Sequence, residues 1–213
     1  MSVPFIPSGT VSVPEIPFAD KVELPPTDTA VIVVDMQNDF VLDEGALTVP
    51  MAAATVPNIQ RLLASARAAG AHVAYTQDTH IEGDPEYDIW PGHCRQGTWG
   101  WQVIEALDPH QGDLAFCKSR YDGFYGTGLD HVLTRVWRVH HLVIVGTVSN
   151  ICVLHTAASA GLRWFHVVLP ADGVSALTPF GQALTLHQVA SLYNGAVVRS
   201  VDDIAFLPGT AAP

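Results

Sequence analysis

Three residues far apart in the chain have the types needed to break a C–N bond: Asp35 in VIVVDMQNDF, Lys118 in LAFCKSRY and Cys152 in GTVSNICV. A thiolate attacks carbonyl carbon well, but its proton must first be removed and later delivered to the departing amine. One carboxylate can do both, and Asp35 is the candidate. A lysine ammonium beside the sulfur favours the thiolate, as do the N–H groups at the start of a helix, where Cys152 is expected. Singly, each residue has a plainer reading. Cys152 reads as a small buried apolar side chain, Lys118 as a solvated strand end and Asp35 as a capping carboxylate.

A second group is formed by Asp78 and His80 in YTQDTH with His93 in WPGHC. Asp-x-His plus a third ligand from a nearby loop suits zinc or iron with positions left open for water or substrate. Spacing alone favours loop hydrogen bonding instead. The chain has ten histidines, and most, His140 and His141 among them, read as surface or boundary residues.

What makes these residues a set is the elements that must carry them. Short apolar runs at 30–34, 71–76, 114–117, 142–145, 166–169 and 196–198 read as strands buried on both faces. Helical stretches are expected at 52–69, ending at Gly70, and at 101–107, 129–136, 152–162 and 181–193. Strand and helix alternate, which predicts a single-domain α/β fold: one parallel sheet covered on both faces by helices, a three-layer α/β/α sandwich of Rossmann-like type. Ligands in such sheets bind beyond the C-terminal strand ends. Asp35, Asp78, His80 and Lys118 all stand at or just past such ends, and Cys152 follows the next one. Residues 1–28 carry Pro4, Pro7, Pro14, Pro17, Pro25 and Pro26 and read as an extended N-terminal arm, with the domain proper at 29–213.

Composition narrows the function classes. With 48% hydrophobic and 15% charged residues the chain is globular. A formal net charge of -11 argues against nucleic acid and anionic membranes as partners. No apolar run approaches the ~20 residues of a membrane span, the N-terminus lacks the pattern of a signal peptide, and three cysteines make a poor disulfide framework. A cytoplasmic location is expected.

The pieces VVDMQNDF, DTH, WPGHCRQGT, KSRYDGFYGTGLD and VGTVSNICVLHTA occur in order between about residues 29 and 206. Together they resemble the isochorismatase-like cysteine hydrolases, which include nicotinamidases and N-carbamoylsarcosine amidases. The resemblance implies a catalytic triad of Asp35, Lys118 and Cys152. It also implies a cis peptide at Thr147–Val148, aiming the Val148 N–H, with that of Cys152, at the developing oxyanion. It implies a divalent metal, zinc or iron, on Asp78, His80 and His93, which in nicotinamidases holds the pyridine nitrogen. Substrate contacts map onto Phe40 and Trp90. No fourth histidine lies between His80 and His93, and the stretch from Lys118 to Phe124 is compact, closer to the N-carbamoylsarcosine amidase form.

The expected protein is therefore an amidohydrolase working through a thioester, without an organic cofactor, on a small amide. Nicotinamide is the first substrate choice and a ureido compound such as an N-carbamoyl amino acid the second. Family members are commonly oligomeric, so a homo-oligomer is expected. The rival from another class is a binding protein that kept the fold and lost turnover; fast alkylation of Cys152 relative to Cys94 and Cys117 would argue against it.

Overall fold

The computed structural model describes residues 10 and 12–207. Pro4, Phe5, Ile6 and Pro7 of the expected arm lie outside them. The architecture grows from one strand, β3 (Thr29–Val34), which is buried along its whole length. Val31 and Val33 belong to an apolar layer with Val41 of the short helix α1 (Asn38–Val41) and with Ile59, Leu62 and Leu63 of helix α2 (Ala52–Ala69). Ala30, Ile32 and Val34 belong to the opposite layer. That layer is closed by α3 (Leu129–His131), α4 (Leu154–Leu162) and α5 (Pro179–Leu192), through residues such as Leu129, Ala157 and Val189. A strand covered on both faces has no polar side, which is why an unbroken apolar run marks it. The result is the expected α/β/α sandwich.

The remaining strands are β1 (Phe18–Ala19), β2 (Val22–Leu24), β4 (His72–Asp78), β5 (Leu114–Lys118), β6 (His141–Thr147), β7 (His166–Pro170), β8 (Val174–Ser175), β9 (Ala196–Val198) and β10 (Ile204–Phe206). The main sheet runs β1-β9-β7-β6-β3-β4-β5 with β8 beside β6, and every pairing in it is parallel. Strand β3 is central: Val34 pairs with Thr76 of β4 on one side and with Gly146 of β6 on the other, while Asp78 pairs with Lys118. The C-terminal ends of four strands are therefore level, and Asp35 emerges between two of them. Gly146 permits this closeness. Its φ is +114°, and a Cβ there would stand 2.1 Å from the Val34 carbonyl oxygen, so any side chain would force the two strands apart.

Helix α2 ends as expected at Gly70, whose φ of +81° closes the last turn through N–H bonds to Ala66 and Arg67. Two expectations are corrected. The stretch 101–107 is not a helix beyond a 3₁₀ turn at Glu105–Leu107. Its backbone is taken by the residues after β3: Asn38 N–H donates to Gln102 O, Ile104 N–H to Met36 O, and the Gln37 amide to Trp101 O. The helix expected at 129–136 is α3 continued as a wider π turn, Val132–Trp137.

Before Thr29, Phe18–Ala19 adds an edge strand beside β9, and Val22–Leu24 pairs in parallel with β10 as a separate two-stranded sheet. Among the described residues no helix is long and apolar enough to cross a membrane.

Candidate active site

The stretch following β3 builds one wall of the site, and each of its polar side chains has a task. Asp35 takes a positive φ of 52°, a conformation that aspartate tolerates better than most residues, and its Oδ1 accepts a hydrogen bond of 2.8 Å from the Thr76 hydroxyl. Gln37 clasps the end of β4, donating to Asp78 O at 2.9 Å and accepting from Asp78 N–H at 2.7 Å. Asp39 accepts from the N–H of Cys94 at 2.7 Å and of Ala46 at 3.0 Å, which fixes the loop carrying His93.

Asp35, Lys118 and Cys152 meet below the strand ends. The Lys118 ammonium lies 2.7 Å from Asp35 Oδ2, 3.0 Å from Asp78 Oδ1 and 3.6 Å from Cys152 Sγ, and neither Lys118 nor Asp35 exposes any side-chain surface. Burial tends to discharge the lysine, but Asp35, Cys152 and Asp78 outweigh it and hold the group charged well above its usual range. Burial pushes the Asp35 carboxyl up, against the pull of Lys118. It also pushes the Cys152 thiol well above its ordinary value; Lys118 opposes this, and the negative charges of Asp35 and Asp78 reinforce it.

This differs from the thiolate expected from helix-terminal N–H groups. Cys152 lies in a π turn, Ser149–Val153, ahead of α4, and is enclosed beside two carboxylates. Burial and the neighbouring carboxylates thus favour the thiol form of Cys152. The peptide Thr147–Val148 is cis, and Val148 and Cys152 both line the cavity above.

Asp78, His80 and His93 also come together, and Glu86 joins them. One ligand atom from each of the four lies within 4.8 Å of the others, and all four residues are buried, so the cluster could hold a metal ion. The donor chemistry fits one. His93 Nδ1 is 2.7 Å from the Pro91 carbonyl, which can only accept, so this nitrogen carries the proton. Its Nε2 faces Asp78 Oδ2 at 3.2 Å, the same oxygen that His80 Nε2 approaches at 3.0 Å. Two imidazole nitrogens and a carboxylate oxygen converging on one point form a donor set that suits a divalent cation. His80 Nδ1 is held by Asp84 at 3.0 Å, the outer-shell carboxylate that orients ligand histidines in metal sites. Burial would lower the His80 pKa, yet Asp78, Asp84 and Glu86 push it up to about 9, another mark of a place that favours positive charge. His80→Ala is expected to abolish stoichiometric metal, read by elemental analysis, and to raise KM more than it slows alkylation of Cys152. Metal retained at wild-type content would contradict that assignment.

The cavity over the cysteine encloses about 340 Å³ including its open mouth, and its walls are mostly apolar: Phe40, Leu47, Val49, Ile151 and Leu177 among others. The expected aromatic residues Phe40 and Trp90 both line it. Sequence reasoning missed Glu86, Thr76, Gln37, Asp84 and Tyr121, whose hydroxyl accepts the Trp90 N–H at 3.0 Å. Glu86 is one of four acids between His80 and His93, with Glu82, Asp84 and Asp88, so sequence alone does not single it out.

Comparison with known proteins points the same way. Residues 29–203 match the family model described as Isochorismatase domain. Ureidoacrylate amidohydrolase RutB of Rhizobium rhizogenes is 32% identical, with 97% of this chain and 93% of that protein covered. The solved N-carbamoylsarcosine amidase from Thermoplasma acidophilum is similar at 35% identity and a TM-score of 0.73, covering 81% of this chain and 96% of that one. Pyrazinamidase of Pyrococcus horikoshii, solved in complex with zinc, reaches 30% identity and a TM-score of 0.75, covering 80% and 98%.

Proposed function

Since the chain belongs to the isochorismatase family, as an amidohydrolase acting on C–N bonds, we propose that it cleaves a ureido compound with Cys152 as nucleophile. The observation that carries the reaction is the buried contact of the Cys152 sulfur with Lys118 and, through it, Asp35, opening on a small apolar cavity. Asp35 takes the thiol proton as sulfur attacks the carbonyl carbon, with the charge on Lys118 balancing the thiolate. The Val148 and Cys152 N–H groups face the oxyanion. The C–N bond then breaks, and Asp35 passes the proton to the leaving nitrogen. For a ureide the intermediate is an S-carbamoyl enzyme, the urea counterpart of a thioester. Water, deprotonated by Asp35, attacks it and frees the thiol and a carbamate, which loses CO₂.

Phe40 and Trp90 would flank the bound substrate. Asp78, His80, Glu86 and His93 would hold a divalent metal, zinc or iron, which when bound supplies a Lewis-acidic anchor for a polar substrate atom. Assembly as a homo-oligomer belongs to the same proposal and is read as solution mass by light scattering.

The sequence placed nicotinamide before the ureido compounds, and the relatives support the reverse order. The ureido name belongs to a protein matched over nearly the whole chain, and the carbamoylsarcosine amidase is the more identical of the two enzymes compared in structure. Ammonia release from carbamoyl amino acids, ureido acids, uncharged ureides and nicotinamide tests this. At least one ureide is expected to exceed nicotinamide in kcat/KM by about tenfold or more. Nicotinamide as the preferred substrate would overturn the ureido reading.

A further inference from the structure

We infer that this pocket selects ureides without a carboxylate, an uncharged N–H-rich urea derivative over a carbamoyl amino acid or ureido acid; the inference rests on the ureido reading above. It comes from the placement of the cations. The chain has ten Lys and Arg residues, all within the described part, and none of them lines the cavity. Lys118 is sealed between Asp35, Asp78 and Cys152 with no exposed side-chain surface. Arg120 is the other cation nearby. Its Nη1 is 3.2 Å from Asp84 and 3.7 Å from Glu86, so two carboxylates neutralise it, and it does not line the cavity. None of the other eight lines the cavity: Arg95, beside the His93 loop, is exposed and paired to Glu82, Arg61 is paired to Asp202 and Arg163 to Asp130.

The charged groups in the cavity wall are acidic instead: Asp78 and Glu86, set among aromatic and aliphatic side chains. A substrate carboxylate would lose its water against two carboxylates and an apolar wall, with no side-chain cation in the lining to receive it. A divalent ion in the cluster would only balance Asp78 and Glu86, leaving no surplus positive charge. The N–H groups of a urea, by contrast, have acceptors in the wall, the Tyr121 hydroxyl and the Glu86 oxygen that the ion leaves free.

The test compares N-(hydroxyethyl)urea with N-carbamoylglycine, which share the ureido carbonyl, have nearly the same shape and differ in terminal charge. Two quantities are measured: kcat/KM from ammonia release by the wild type, and Kd by calorimetry on Cys152→Ala. The neutral compound is expected to lead by about tenfold or more in both. Leu47→Arg, at a half-buried position of the cavity wall, is expected to narrow or invert the ratio. Equal or better use of N-carbamoylglycine by the wild type would overturn the inference, as would an unchanged ratio in Leu47→Arg. Binding of neither ureide, with nicotinamide turned over, would instead overturn the ureido reading itself.

Discussion

Cys152→Ala is expected to reduce ammonia release by roughly 10⁴-fold or more while leaving the fold in place. The substitution deletes one sulfur from a side chain that is 4% exposed, and alanine suits the turn that holds it. No neighbour can replace the thiol. Cys94 is buried on the loop after His93, its thiol pushed well up by burial and by the nearby carboxylates, with its N–H tied to Asp39. Cys117 is exposed on β5. A thermal melt close to that of the wild type together with lost turnover is the expected pattern. Ammonia release near the wild-type rate would remove the nucleophile from the account.

Lys118→Met is expected to have the largest effect on stability of any substitution at the site. The ammonium sits between Asp35 and Asp78 at 2.7 Å and 3.0 Å, with none of the three side chains more than 2% exposed. Removing one partner of such a buried pair leaves charge uncompensated, at a cost of about 3–5 kcal/mol. Methionine keeps the volume, so the loss reports charge and not a cavity. Denaturant unfolding of Lys118→Met and of Asp35→Asn with Lys118→Met would separate the contributions. The double variant should recover part of the loss, because one uncompensated carboxylate is gone. Turnover should fall by about 10³-fold in the single variant, since nothing else stabilises the thiolate. A Lys118→Met protein as stable as the wild type would show that the carboxylates do not depend on this cation.

Much of this architecture is legible without coordinates because it rests on local chemistry. The apolar runs of β3, β4 and β6 can only be strands buried on both faces, and Gly70 ends α2 through a conformation that glycine adopts freely. Asp35, Asp78 and Lys118 stand out because each interrupts or ends such a run, and parallel sheets gather those ends. What resisted reading depends on distant partners. The stretch 101–107 has helix-compatible residues, but the backbone of Met36–Asn38 and the Gln37 amide claim its hydrogen bonds. Glu86 lies in a loop without periodicity, and nothing local tells an acid that faces Asp78 and two imidazoles from one that faces water. The balance at Cys152 shifts for the same reason. A helix start favours the thiolate, but burial beside Asp35 and Asp78 favours the thiol, and only the packed structure decides between them.

The most direct test of the central claim is the mass of the enzyme during turnover. A rapid acid quench with the best ureide, followed by intact-mass and peptide analysis, should find a covalent carbamoyl adduct on the peptide containing Cys152. The adduct should appear before the first turnover is complete, decay as substrate is exhausted and be missing from Cys152→Ala. Hydrolysis at full rate with Cys152 unmodified at every time point, or an adduct confined to Cys94 or Cys117, would contradict the account.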